Sequence, residues 1–222
     1  GDEARHAAAR LVREGEAAML EHRHADPAQC VRAGVVVARN PGPVRAAQER
    51  LEVIATHDSL TGLANRRLLE EHMLQAMAAS RRSQHYCGLM FIDLDNFKPV
   101  NDIYGHKKGD SLLVEVAIRL RNTVRQADTV ARFGGDEFIV LLRDIDPDHN
   151  RSKEHMQAIA AKISQELSRP YPLTEHCMHQ CACSVGMVLF QGDHDCDELL
   201  RRADSAMYQA KNGKLNQPCW FS

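Results

Sequence analysis

The sequence predicts an α+β sandwich, a central and mainly antiparallel sheet flanked by helices. Three observations lead there. From Asp58 onward, short apolar runs of strand length alternate with longer stretches of helical periodicity. Two of the runs, Thr129-Val130-Ala131 and Phe138-Ile139-Val140-Leu141-Leu142, flank Gly134-Gly135, and both glycines are expected to supply the positive φ of a tight hairpin. No internal repeat or low-complexity tract interrupts the pattern. Helices inserted between antiparallel strands match a ferredoxin-like βαββαβ arrangement with additions.

Taken in order, residues 3–24 are rich in Ala, Glu, Arg and Leu and read as a helix. Its apolar stripe through Ala8, Leu11, Gly15, Ala18 and Met19 is thin and needs a partner. Pro41-Gly42-Pro43 breaks the chain, after which Val44, Ala47, Leu51 and Ile54 follow a 3,4,3 spacing. That stripe suits either a short two-helix seam or a helix packed on its own domain. A helix is expected around 65–82, then a strand through Tyr86-Cys87-Gly88-Leu89-Met90-Phe91-Ile92. Helices near 96–104 and 108–125 follow, then the hairpin, a helix near 150–168, strands within 171–190 and a helix near 195–211. The domain reading is a helical extension over 1–43, the end of a sensor or linker region; a linker helix over 44–57; one domain over 58–216; and a tail over 217–222.

Bulk properties narrow the function. A chain of 222 residues has room for one core of ~150–170 residues plus an extension. A net charge of −2 with both signs interspersed lacks the footprint of a nucleic-acid binder. No apolar run approaches the ~20 residues that cross a bilayer, so this fragment is expected to make no membrane contact. The start at Gly1 rather than Met suggests excision from a longer protein, which leaves an upstream membrane anchor open. Seven cysteines, an odd set, fit reduced thiols and a cytoplasmic setting. His176, Cys177, His179, Cys181 and Cys183, with His194 and Cys196 following, are dense enough to raise a Zn²⁺ site. The alternation of Cys181, Cys183, Val185 and Met187 reads instead as the packed face of a strand.

Chemistry concentrates where carboxylates follow apolar strands. Arg132-Phe133-Gly134-Gly135-Asp136-Glu137-Phe138 presents two acids on a hairpin, and the strand ending at Ile92 runs into Asp93-Leu94-Asp95-Asn96-Phe97-Lys98. If these strands are neighbours, Asp93, Asp136 and Glu137 converge as hard oxygen ligands suited to Mg²⁺ and a nucleotide's phosphates.

Five motifs, in order, carry a family resemblance. Asp58-Ser59-Leu60-Thr61-Gly62-Leu63-Ala64-Asn65-Arg66-Arg67, Phe91 to Lys98, Asn101-Asp102-Ile103-Tyr104-Gly105-His106, Gly109-Asp110 and Gly134-Gly135-Asp136-Glu137-Phe138 closely resemble the GGDEF domains of bacterial diguanylate cyclases. The likeness covers about residues 45–216. It implies a nucleotidyl-cyclase version of the ferredoxin-like fold. It also implies condensation of two GTP into cyclic di-GMP and pyrophosphate, with one GTP held by each of two facing domains of a homodimer. Two Mg²⁺ ions per site are implied, with Mn²⁺ as the alternative.

By resemblance, metal binding falls on Asp93, the carbonyl of Leu94 and Asp136, with Glu137 as a second acidic ligand or helper. Asp136 is the candidate general base, although a bound ion lowering the hydroxyl's pKa would serve the same end. Asn96 and Phe97 would offer backbone N–H groups to the terminal phosphates and Lys98 a cation. Gly134 and Gly135 would let substrate approach the backbone. Asn101 and Asp110 are implied at the guanine, where a carboxylate accepts from N1–H and the 2-amino group. Read without the resemblance, Asn101 is a cap or turn residue and Asp110 an N-cap.

Arg125-Gln126-Ala127-Asp128 resembles the family's inhibitory product site, with Lys162 as a secondary basic contact; the plain reading is a surface ion pair. Asp204-Ser205-Ala206-Met207-Tyr208-Gln209-Ala210-Lys211 matches the family's C-terminal motif and carries Lys211 over as a phosphate contact. The turn after it, Asn212-Gly213-Lys214-Leu215-Asn216, is shortened, so the second cation is Lys214 on one alignment and absent at Leu215 on the other. The expected function is a product-inhibited diguanylate cyclase; the alternative is a catalytically silent module that binds GTP or cyclic di-GMP.

Overall fold

The computed structural model describes residues 51–174, 177–213 and 218–221. The expected helix over 3–24, the first half of the 44–57 linker, and Lys214 to Asn216 lie outside them. Residues 51–56 are helical, and Leu51, Val53 and Ile54 are all more than half exposed.

The elements from there are α1 (Arg66–Ser83), β1 (Cys87–Leu94), α2 (Phe97–Tyr104), α3 (His106–Thr123), β2 (Thr129–Gly134), β3 (Glu137–Leu142), α4 (His149–Leu167), β4 (Tyr171–Thr174), β5 (Cys177–His179), β6 (Cys183–Phe190), α5 (Cys196–Asn212) and β7 (Cys219–Trp220). The main sheet runs β2-β3-β1-β6-β7, and β4-β5 form a separate hairpin. Strands β2, β3, β1 and β6 pair antiparallel throughout, so two split crossovers interlock as the ferredoxin-like arrangement requires. The tail adds a strand that the sequence pattern does not show: β7 pairs in parallel with β6, Gly186 opposite Cys219.

Alternation along β1 builds two cores. Met90, Ile92 and Leu94 pack with Val116, Leu120 and Ile163 of α3 and α4, while Leu89 and Phe91 pack with Leu69, Met73, Leu200 and Met207 of α1 and α5. Both faces of the sheet are thus covered, which is why β1 is buried along its whole length. Asp93 follows the parity of Leu89 and Phe91 and points toward α5.

Helix ends fall where the chain provides caps. Asn65 Oδ1 accepts from the Leu68 N–H at 3.1 Å to start α1, and Asp195 Oδ1 accepts from Asp197 and Glu198 to start α5. Asp110 caps nothing; α3 begins after Gly105, and Asp110 sits exposed within it. Asn101 likewise lies inside α2. At the β2–β3 turn Gly135 has φ of 50°, whereas Gly134 keeps an ordinary φ and pairs with Glu137, correcting the expectation that both glycines are left-handed. The approach of α5 to β6 depends on Gly186: a Cβ there would lie 2.1 Å from the Ala203 carbonyl oxygen and 2.1 Å from the Met207 nitrogen.

Cys181 and Cys183 are buried in the core, and burial pushes both thiols up to about 12. Cys183 opens β6 with Val185 and Met187 buried after it, whereas Cys181 is buried two residues before the strand begins. Among the described residues no three His, Cys, Asp or Glu side chains are grouped to hold a metal ion as they stand.

Candidate active site

Strand pairing brings the acids together. Asp93 stands directly opposite Glu137 on β3 and Ser184 on β6, so it occupies the end of the central strand with a neighbour on each side. The Leu94 N–H donates to the Asp136 carbonyl at 3.3 Å, which ties the turn to β1. On the same face, the last turn of α5 delivers Lys211, whose Nζ donates to Asp93 Oδ1 at 2.6 Å.

These groups alter one another's proton affinity. Burial raises the Asp136 carboxyl, and the Asp93 charge adds to the rise. Glu137 is raised by burial and then by Asp93, Asp204 and Asp136. Burial alone would lower Lys211, but its hydrogen bond to Asp93 and the charges of Asp93, Asp95 and Asp136 raise it overall and hold it as an ammonium. A crowd of carboxylates that repel one another, only partly answered by Lys211 and Arg132, is a site that favours additional positive charge. Hard carboxylate and carbonyl oxygens are also the ligands that Mg²⁺ takes, so the donor chemistry fits.

The hairpin is held from outside the sheet. Arg132 Nε and Nη2 both donate to the Gly135 carbonyl, at 3.0 and 2.8 Å, while Nη1 reaches Asp58 Oδ1 at 3.2 Å. Asp58 in turn accepts from the Thr61 N–H at 2.8 Å and its hydroxyl at 2.6 Å. Arg132 also donates its N–H to the Ala64 carbonyl at 2.9 Å, so the 58–64 loop is laid along β2. The sequence pattern gives Arg132 no role; its position at the head of the Arg132–Phe138 hairpin segment is the signal that marks it. Around Gly134 and Gly135 nothing within 4 Å would meet a Cβ, so the space outside the turn is open.

The remaining substrate positions lie on α2 and α3. Asn96 adopts φ of 59° just before α2 and makes no side-chain cap, leaving the first N–H groups of that helix uncapped beside an exposed Lys98. Phe97 is buried as the anchor of this end. The Asn101 side chain lies against Gly109, the residue before Asp110, where a Cβ would come within 2.0 Å of Oδ1. Asp95, which was unassigned, accepts from the Ser184 hydroxyl at 2.9 Å.

The Arg125–Asp128 segment is not the surface ion pair of the plain reading. Asp128 Oδ2 accepts from the backbone N–H of Arg125 at 3.0 Å and Oδ1 from that of Arg143 at 3.1 Å. The guanidinium of Arg125 points away, with Nη2 3.5 Å from His155 Nε2. Ala127 borders a cavity of about 630 Å³ that also exposes Arg82 and Arg143. Lys162 lines a different cleft, of about 400 Å³, with Glu115, Arg119, Glu166 and Arg169. His155 thus stands beside Arg125 and the Arg143 backbone beside Asp128, neither of which the sequence pattern singles out.

No helix among the described residues is long and apolar enough to cross a membrane. Residues 55–217 match the family described as "Diguanylate cyclase, GGDEF domain". The chain is 41% identical over 178 residues to the bifunctional diguanylate cyclase/cyclic di-GMP phosphodiesterase MucR of Pseudomonas aeruginosa, covering 80% of this chain and 25% of that protein. It is 38% identical to the cyclic di-GMP phosphodiesterase PdeR of Escherichia coli over 80% of this chain and 26% of PdeR. With the diguanylate cyclase DgcP of the same organism it shares 34% identity over 79% of this chain and 50% of DgcP. The chain thus spans a quarter to a half of these relatives. Among solved structures, the GGDEF domain of TpbB (YfiN) from Pseudomonas aeruginosa superimposes with a TM-score of 0.68 at 35% identity, covering 75% of this chain and 94% of that one. The coiled coil and GGDEF domain of DgcB from Caulobacter crescentus, in complex with c-di-GMP, gives 0.70 at 25% identity, covering 80% and 91%. With its acids at the end of β1 and on the β2–β3 turn, and with this match over most of its length, the chain belongs to the GGDEF domain family of diguanylate cyclases.

Proposed function

We propose that this domain is a diguanylate cyclase that joins two GTP molecules across a homodimer and is inhibited by its product. One observation carries the reading: Asp93, Asp136 and Glu137 meet at one end of the sheet with Lys211 beside them. In the proposed reaction each 3′-hydroxyl oxygen bonds to the α-phosphorus of the opposite GTP. The bond from that phosphorus to the bridging oxygen breaks, and pyrophosphate leaves with the electron pair.

Asp93, the Leu94 carbonyl, Asp136 and Glu137 would hold the divalent ions. Such ions supply charge neutralisation on phosphate oxygens and a more acidic attacking hydroxyl. We assign proton acceptance to Asp136, the acid at the hairpin turn beside Asp93 and Glu137. Gly134 and Gly135 leave room for the substrate, and the uncapped N–H groups of α2, Lys98 and Lys211 face its phosphates. Asn101 and Asp110 read the guanine. Arg125 and Asp128 bind cyclic di-GMP, a reading supported by the exposed guanidinium, which contacts His155 rather than Asp128, and by the arginine-lined cavity beside Ala127. GTP supply places the reaction in the cytoplasm.

The test is incubation of nucleotide-stripped protein with GTP and Mg²⁺ across a protein concentration series, with chromatographic separation of products. Cyclic di-GMP rising faster than linearly supports the dimeric cyclase, and Asp136→Ala is expected to abolish it with the fold intact. Absence of product at every concentration would replace this reading with a silent module that binds GTP or cyclic di-GMP.

A further inference from the structure

We propose that Lys211 is the resident cation of Asp93 and must be released before a divalent ion binds there, so that nucleotide phosphates and metal load together. The inference rests on the reading that Asp93 is a metal-binding carboxylate. It deepens that reading by giving Lys211 a role in the nucleotide-free protein.

The geometry is direct. Lys211 Nζ lies 2.6 Å from Asp93 Oδ1, and the pair is unequal, with the carboxylate side chain 11% exposed and the lysine 45%. Asp93 is fixed between two strands, whereas Lys211 sits on a helix surface with a long, rotatable stem. One partner can move and the other cannot. The charged groups that act on the ammonium besides Asp93 are the carboxylates of Asp95 and Asp136, so it has no local reason to leave.

A divalent ion takes carboxylate oxygen at ~2.0–2.1 Å, and an ammonium on that same oxygen places two cations in contact. The two occupants therefore compete for Oδ1. A triphosphate changes the balance because it offers Lys211 an alternative anion of higher charge on its exposed side. Transfer of Lys211 from carboxylate to phosphate frees Asp93 at the moment when substrate is present. The domain is thereby kept from loading metal without nucleotide.

The experiment titrates Mn²⁺ into the whole chain without nucleotide and follows the electron paramagnetic resonance signal of unbound ion. It compares the parent, Lys211→Gln, Lys211→Met, Asp93→Asn and the Lys211→Gln/Asp93→Asn pair, each checked for a native circular dichroism spectrum. Both Lys211 variants are expected to bind Mn²⁺ about ten-fold more tightly, the scale of one charge-assisted hydrogen bond. The gain should persist at about 0.5 M salt, where screening lengths fall to ~4 Å, and should vanish in the double variant. Equal affinity of parent and both Lys211 variants, with Asp93→Asn still weakening binding, overturns the proposal and leaves Asp93 as a metal ligand. A gain that disappears at high salt also overturns it, by reducing Lys211 to a diffuse field. If Asp93→Asn changes Mn²⁺ binding in neither background, the metal reading falls and takes the proposal with it.

Discussion

Removing the Arg132 side chain tests how the carboxylate turn is held. Arg132→Ala deletes two hydrogen bonds to the Gly135 carbonyl and the contact with Asp58. The Arg132 and Asp58 side chains are 14% and 22% exposed, so the pair is shielded but not dry. A hydrogen bond to a charged group contributes about 1.5–3 kcal/mol and an exposed ion pair about 0–1, which places the loss at ~2 kcal/mol near neutral pH. The pH dependence separates the two parts. Burial pushes the Asp58 carboxyl up, but hydrogen bonds from Thr61 and Arg132 outweigh it and leave the folded value below the ordinary 3.8. A depressed carboxyl adds stability that is present above the unfolded value and is lost as pH falls through the folded one. The deficit of Arg132→Ala should therefore shrink by up to ~1 kcal/mol between neutral pH and an acid pH below the folded Asp58 value, leaving the larger Gly135 contribution. Urea unfolding of parent and variant at both pH values measures it. A deficit that is the same at both, or amide exchange at Gly135 and Asp136 no faster than in the parent, would refute the bridging role.

Gly186→Ala should destabilise the domain by ~3 kcal/mol, because its methyl meets backbone of Ala203 and Met207 that cannot yield cheaply; thermal unfolding reads this directly. Asp110→Ala should narrow the preference for GTP over ATP by roughly ten-fold or more, measured as the ratio of their kcat/KM values, and an unchanged ratio would remove Asp110 from base reading. Arg125→Ala should raise the cyclic di-GMP concentration needed for half inhibition without lowering initial turnover. His155→Ala should do so more weakly, since its ring stands 3.5 Å from the guanidinium, and Lys162→Ala should have no effect.

Much of this architecture is legible in the chain because it is encoded locally. The Tyr86–Ile92 run, the glycine turn and the helical stripes each declare themselves within about ten residues, and a strand apolar on both faces announces its burial. The acids of the site are legible for the same reason, since each ends or opens a strand. What stays hidden depends on approaches between distant segments. Lys211 and Asp93 are 118 residues apart, Arg132 and Asp58 are 74 apart, and no spacing rule connects them. The surroundings of Arg125 are hidden in the same way: His155 lies 30 residues further on, on α4, and meets it only through the fold, whereas Lys162, nearly two turns further along α4, lines another cleft. The β7 strand is too short for alternation to register.

The position of Asp93 at the end of a strand paired on both sides has a consequence in time as well as in space. Its peptide group is released when the sheet itself opens, so its hydrogen exchange should keep the slow clock of global unfolding. Asp136, one residue beyond the left-handed Gly135 on a two-residue turn, should keep a much faster one. The two acids that meet at one end of the sheet therefore belong to different cooperative units. One is a fixed post, and the other moves on the timescale of the hairpin turn.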